Sequence, residues 1–233
     1  WLPTVSRFCA NNQIGLITGI EHVLFEGEDP FVYNLTAVIL PYEHHEQKFA
    51  HVFYHSKTKF SPEERRQIEG HHCTCQEGSD YQLFCWHGIW FPVYCCFELA
   101  SIQDRALFRS YADMVVAVEW NTDIPYFSSI MESMCRDLHC YCIQANSSGP
   151  GDSRILQPTK SELQDVIKTK GGKNPCILAA DIDISALREF QMLDYSLQKD
   201  MGAFKPTPPD FNLKVLEMKR NRTLFEWIME TYD

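Results

Sequence analysis

The stretch YCCFELASIQDRALF, Tyr94 to Phe108, places two adjacent cysteines at the end of an apolar run and a carboxylate, Glu98, shortly after the second. A thiol attacks as its thiolate, and a helix N-terminus favours that ion through unpaired backbone N–H groups and the helix dipole. Cys96 is the last residue of the apolar run and the first before a helical pattern. A sharp strand-to-helix turn there would lift its side chain above the sheet edge as a nucleophile. Glu98 would cap the first turn or accept a hydrogen bond within it. The alternative is that Cys95 and Cys96 are both buried structural thiols, since free cysteine packs as a small hydrophobe.

The elements that must position these residues follow from hydrophobic periodicity. Ile14 to Phe25, VYNLTAVILP and FAHVFYHSK read as three strands in a meander. A polar segment from Ser61 to Asp80 reads as a short helix and a loop. IWFPVYCCFE is too continuously apolar to be half exposed, which predicts a central strand covered on both faces. The period then changes to helical from Glu98 to Ser110. DMVVAVEW predicts a strand, Pro125 to His139 a helix with Phe127, Ile130, Met131, Met134 and Leu138 on one stripe, and CYCIQAN and SRILQP two more strands. Residues 159 to 175 read as an exposed excursion, and CILAADIDISALREF as a last strand leading into a helical turn. A proline-rich connection and a terminal helix close the chain. Strands alternating with helices, after an antiparallel meander, predict an α/β protein with a mixed sheet.

Composition narrows the function. The 21 Lys and Arg residues are scattered and outnumbered by 31 Asp and Glu, for a formal net charge of −10. Such a surface repels a phosphate backbone, so no nucleic-acid binding is expected through this segment, only through a fused domain. No run of apolar residues is long enough to span a membrane, and none is expected to. The 10 cysteines, several within apolar runs (Cys85, Cys95, Cys140, Cys142, Cys176), read as the usage of a reducing, cytoplasmic compartment. The chain starts at Trp1 rather than Met, which reads as a portion of something longer.

At CFEL, Cys96 to Leu99, the sequence resembles the Cys-Tyr-Asp/Glu-Leu signature of the carbon-nitrogen hydrolase (nitrilase) superfamily. YADMVVAVEWN resembles that family's Gly-Ala-Asp strand, the helix from Pro125 to His139 the helix after it, and IQANSSGPGDSRILQP its following strand pair. LAADIDISALREF is similar to its closing strand, and LITGIEH, VYNLTAVILP and KTKFSP to the two strands and lysine segment before the cysteine. The match runs in order from about Leu2 to Phe190.

The resemblance implies a four-layered α-β-β-α sandwich over residues 1–190, with residues 191–233 as a C-terminal extension packing on a partner subunit. It implies hydrolysis of a small amide or nitrile by a cysteine, a lysine at the oxyanion and a proton-shuttling glutamate, with no cofactor and no metal, in a homo-oligomer. Cys96 carries over onto the nucleophile. Lys57 fits the lysine, since Phe60 and Pro62 follow at the family's spacing; Lys59 is the alternative, because two lysines an even step apart on an extended segment point the same way. Glu64, with Glu63 as the alternative, matches an additional carboxylate that some members place after the lysine. Glu98, Trp120, Asn121 and Asn146 would lie at the substrate, with Trp120 also fitting a place in the core. The family's general-base glutamate belongs to a strand before Trp1, so the first strand, helix and second strand are expected outside this sequence. Glu21 and Glu26 fall on the wrong strand to replace it. A rival expectation is a silent nitrilase-like scaffold within a larger multi-domain protein, such as a fusion to a defence reverse transcriptase.

Other constellations are weaker. His71, His72, Cys73 and Cys75, with Cys85 and His87, have the ligand types of zinc but not its spacing. SYADM lacks the second metal-binding carboxylate of a polymerase, and NSSGPGDS lacks the Gly-Lys-Ser/Thr ending of a phosphate loop.

Overall fold

A computed structural model of the chain describes residues 1–174 and 176–232. It contains two compact units, Trp1–Gln82 with Val93–Ala100, and Leu83–Pro92 with Ser101 onward.

The first unit opens with α1 (Leu2–Asn12), started by a proline in its first turn and ended by Gln13 in the left-handed region at φ 55°. Then come β1 (Leu16–Phe25), β2 (Phe31–His44) and β3 (Gln47–Ser56), the expected antiparallel meander in the order β1-β2-β3. His45 and Glu46, at φ 47° and 63°, turn the β2–β3 hairpin with both central residues left-handed, the geometry that matches the twist of paired strands. Cys9 of α1 packs on Ala37 and Ile39 of β2. α2 (Pro62–Gly70) starts at a capping box, in which Ser61 accepts from the Glu64 N–H and the Glu64 carboxylate reaches back to the Ser61 N–H. Its Ile68 meets Val32 and Phe60, and the short β4 (Thr74–Cys75) runs parallel to β2.

The second unit is built on a six-stranded mixed sheet. β5 (Leu83–Trp86) and β6 (Ile89–Cys95) form a hairpin turned by His87 and Gly88. After α3 (Ile102–Ala106), β7 (Met114–Glu119) and β8 (Tyr141–Asn146) pair in parallel across the crossover helix α4 (Ile124–Leu138). β9 (Gly151–Leu156) and β10 (Asp165–Lys170) add antiparallel strands, giving the order β10-β9-β8-β7-β6-β5. The apolar stripe expected on α4 is buried throughout.

α5 (Ile184–Gln191), α6 (Tyr195–Met201), α7 (Leu213–Asn221) and α8 (Leu224–Tyr232) complete the unit. Val215, Leu216 and Leu224 are buried, and Val215 and Leu224 cluster with Trp90. Phe204 meets Phe190 and Tyr141 edge to face, Phe211 meets His139, and Trp227 stacks on Tyr111. Phe225 and Met229 stay exposed. Asp113 is buried where α5, α7 and β6 meet, receiving Arg188, Lys219 and the Trp90 N–H.

Two segments differ from expectation. The excursion at residues 159 to 175 contains β10, a half-exposed edge strand carrying Lys168 and Lys170, the charged edge that discourages further pairing. Among the described residues, Cys176 to Asp183 form no strand; Ile177 is 94% exposed and Cys176 is exposed too, because β10 already occupies that sheet edge. No helix is long and apolar enough to cross a membrane among the described residues.

Candidate active site

β6 ends at Cys95, and Cys96 turns out of the strand at φ 49°. This is the left-handed region, which costs a side chain with a Cβ about 1 kcal/mol or more unless the surroundings hold it there. A 3-10 turn over Cys96–Ala100 follows in place of the helix expected from Glu98, and α3 begins only at Ile102. The two thiols separate in environment. Cys95 is buried, its thiol pushed up to about 12 by desolvation despite the nearby Lys57. Cys96 is partly exposed.

What holds the turn is Glu98. Expected at the substrate, it is instead fully buried, and its carboxylate accepts from the Cys95 N–H at 2.6 Å, the Thr58 N–H at 2.6 Å, Thr58 Oγ1 at 3.1 Å and His55 Nε2 at 2.9–3.0 Å. A buried carboxylate needs such a set of donors, and once it has them it has no face left for a ligand.

Lys57 is 2% exposed, and its Nζ donates to Glu64 Oε2 at 2.5 Å. Burial alone would lower the pKa of this ammonium; Cys95, Glu64 and Cys96 around it outweigh that and raise it. Lys59 is exposed, and the two lysines do not point the same way because the segment has left β3 at Ser56 and bends. Glu64 is drawn down to about 2 in spite of its burial, by hydrogen bonds from His22 Nε2 at 3.0 Å and Asn34 Nδ2 at 2.6 Å and by the Lys57 charge. At neutral pH it is therefore an anion that holds Lys57, and a very weak base.

Trp120, Asn121 and Asn146 belong to the second unit. Trp120 is 81% exposed and so fills no core position. Asn146 ties the ends of three strands together, accepting from the Asn121 and Ser147 N–H groups and donating to the carbonyls of Asn121 and Gly151. Asn121 is mostly buried and accepts from the Asp123 N–H. Beside them Glu119 is pushed up to about 7 by burial, with Gln144 its hydrogen-bond donor. A cleft of about 1070 Å3 in the same unit, lined by Arg188, Glu189, Lys219 and Arg220, includes none of the expected site residues. Among the described residues no group of three or more His, Cys, Asp or Glu side chains is placed to hold a metal ion.

No family model and no curated protein sequence matches the chain. Solved structures do match in fold. A CN-hydrolase superfamily protein of Xanthomonas campestris, with an arsenic adduct in its active site, is 14% identical over 82% of this chain and 70% of its own, with a TM-score of 0.60. A branch 10 member of the nitrilase superfamily from Saccharomyces cerevisiae is 14% identical over 74% of this chain and 62% of its own, with a TM-score of 0.55. An amidase from Nesterenkonia sp. is 15% identical over 85% of this chain and 71% of its own, with a TM-score of 0.54. The fold is that of the nitrilase superfamily. Its class is the layered α-β-β-α sandwich with mixed sheet pairing expected from the sequence.

On this nitrilase-type fold, three sequence-predicted residues gather in the first unit: Cys96, Lys57 and Glu64. The residues that surround them, His22, Asn34, His55 and Thr58, carry no local signal. They arrive through strand register, which sets His22 opposite Asn34 and Thr36 opposite His55, while the Lys57 N–H bonds the Asn34 carbonyl at 2.9 Å. The only sequence hint was the alternation of His51, Phe53 and His55 along β3, which puts them on one face.

Proposed function

We propose that the chain belongs to the nitrilase superfamily and hydrolyses a carbon–nitrogen bond of a small amide or nitrile through a covalent Cys96 intermediate. The observation that carries this reading is the left-handed Cys96 at a strand end, in the same unit as the buried Lys57 and its partly buried partner Glu64. In it, the Cys96 thiolate adds to the amide carbon, forming a C–S bond and pushing the carbonyl electron pair onto oxygen. Lys57 Nζ donates to that oxyanion, and Glu64 keeps the ammonium charged and aimed. The C–N bond then breaks, the amine leaves carrying the proton from the thiol, and water cleaves the acyl thioester to release the acid. A nitrile would pass through a thioimidate at the same sulfur. A relative of the same fold, a glutamate-to-glutamine variant of the Nesterenkonia amidase with a TM-score of 0.52, carries acrylamide added at its active site cysteine. A cytoplasmic homo-oligomer is part of the same reading, its subunit number to be checked by light scattering.

A second reading, a silent nitrilase-like scaffold, is favoured by Glu64, whose depressed pKa leaves it too weak a base to take the proton from the thiol. Alkylation separates the two. In the enzyme reading, iodoacetamide at pH 6.5 modifies Cys96 well ahead of the exposed Cys176, because an ordinary thiol is only about 1% ionised there. Equal slow labelling of both would leave the scaffold.

A further inference from the structure

We propose that the buried Glu98–His55 pair is a positioning device that fixes the spacing between the Cys96 sulfur and the Lys57 ammonium; this rests on the roles proposed above for those two residues. Glu98 is 0% and His55 1% exposed, and three separate segments converge on the carboxylate. The first is the end of β3, from which His55 Nε2 reaches both oxygens, at 3.0 and 2.9 Å. The second is the segment carrying the lysine, from which Thr58 gives its N–H and its hydroxyl to Oε1. The third is the end of β6, from which the Cys95 N–H meets Oε2.

The donors flank the reacting residues. Thr58 directly follows Lys57, and Cys95 directly precedes Cys96. One carboxylate therefore clamps the backbone beside the lysine to the backbone beside the cysteine. The clamp works only while the carboxylate is tolerated in the interior, and of its donors His55 alone can carry a charge. The imidazole is itself held in place: it stacks on Tyr81 at 5.7 Å, and the Tyr81 hydroxyl bonds Thr58 Oγ1 at 2.5 Å. With the clamp closed, Lys57 stays against the thiols, where it favours a thiolate.

The test is the pH profile of Cys96 carboxamidomethylation by iodoacetamide on the full chain, read by peptide mass spectrometry, with circular dichroism to confirm folding. His55→Leu is expected to move the inflection up by about one pH unit, cutting the rate at neutral pH about tenfold, as a pKa shift of one unit requires. His55→Gln, whose side-chain amide presents an N–H near the Nε2 position, is expected to recover the wild-type profile; a merely space-filling histidine would show the reverse preference, for leucine. A folded His55→Leu protein with the wild-type profile overturns the proposal. Where the leucine variant does not fold, His55→Asn takes its place, its donor too short to reach Glu98; a wild-type profile from both amide variants overturns the proposal equally. Failure of the hydrolase reading looks different: wild-type Cys96 itself then labels no faster than Cys176, and the proposal falls with it.

Discussion

Lys57 Nζ stands 2.5 Å from Glu64 Oε2, and the two charges are tied by α2, whose capping box already fixes Glu64 at its first turn. The helix start thus aims the lysine. On the hydrolase reading proposed above, Lys57→Met should lower turnover of a responsive short aliphatic amide by about 100- to 1000-fold, the loss usual for one oxyanion donor, with ammonia release as the assay. Glu64→Gln should cost less, since the lysine remains but is no longer held.

The same pair sets an acid limit on stability. Glu64 titrates near 2 in the folded chain against an ordinary 4.5, so its contribution is complete above the ordinary value and is lost as the pH falls toward 2. After discounting for the half-exposed His22 side, the contribution is on the order of 2 kcal/mol. Urea midpoints between pH 5 and 2 should fall more steeply for the wild type than for Glu64→Gln.

Glu119 works in the opposite direction. Its folded pKa of about 7 lies above the ordinary 4.5, so the native state holds a proton that the unfolded chain gives up, and stability falls as the pH rises between those values. Glu119→Gln, which keeps an acceptor for Gln144, should therefore stabilise the protein at pH 8 by about 3 kcal/mol and have little effect at pH 4.5. Thermal melts at both values check this.

Asp113 gathers Arg188 and Lys219 in the interior of the second unit, and Lys219 is pushed down by burial against the pull of that aspartate. Asp113→Asn leaves two cations with no counter-charge there, and should cost about 3–5 kcal/mol, as breaking a buried ion pair does. Denaturant unfolding should show it in the midpoint.

The parts of this molecule that were legible in the sequence are those written in local pattern. The meander declares itself through its β-branched runs and α4 through its stripe, whereas Cys96 and Lys57, which share the first unit, were singled out by the family resemblance of their segments. β10 escaped notice because an edge strand bearing lysines looks like a loop, and the apolar stretch after Cys176 looked like a strand because nothing local says that the sheet edge is already filled. His22, Asn34 and His55 escaped for a different reason. Their partners lie 30 to 43 positions away along the chain, and only the pairing register brings them together. Glu98 was half legible: it accepts the hydrogen bond expected within the turn, from the Cys95 N–H, while its full burial rules out the substrate contact also expected of it.

The backbone at position 96 would suit glycine better than the residue it has, since a φ of 49° strains any side chain with a Cβ. Cys96→Gly should therefore give a protein that melts higher than its parent, by roughly the 1 kcal/mol released with the strain, while losing every trace of alkylation there. Reactivity and robustness pull against each other at that residue, and a more heat-resistant variant found by random screening would be a suspect for having lost its sulfur.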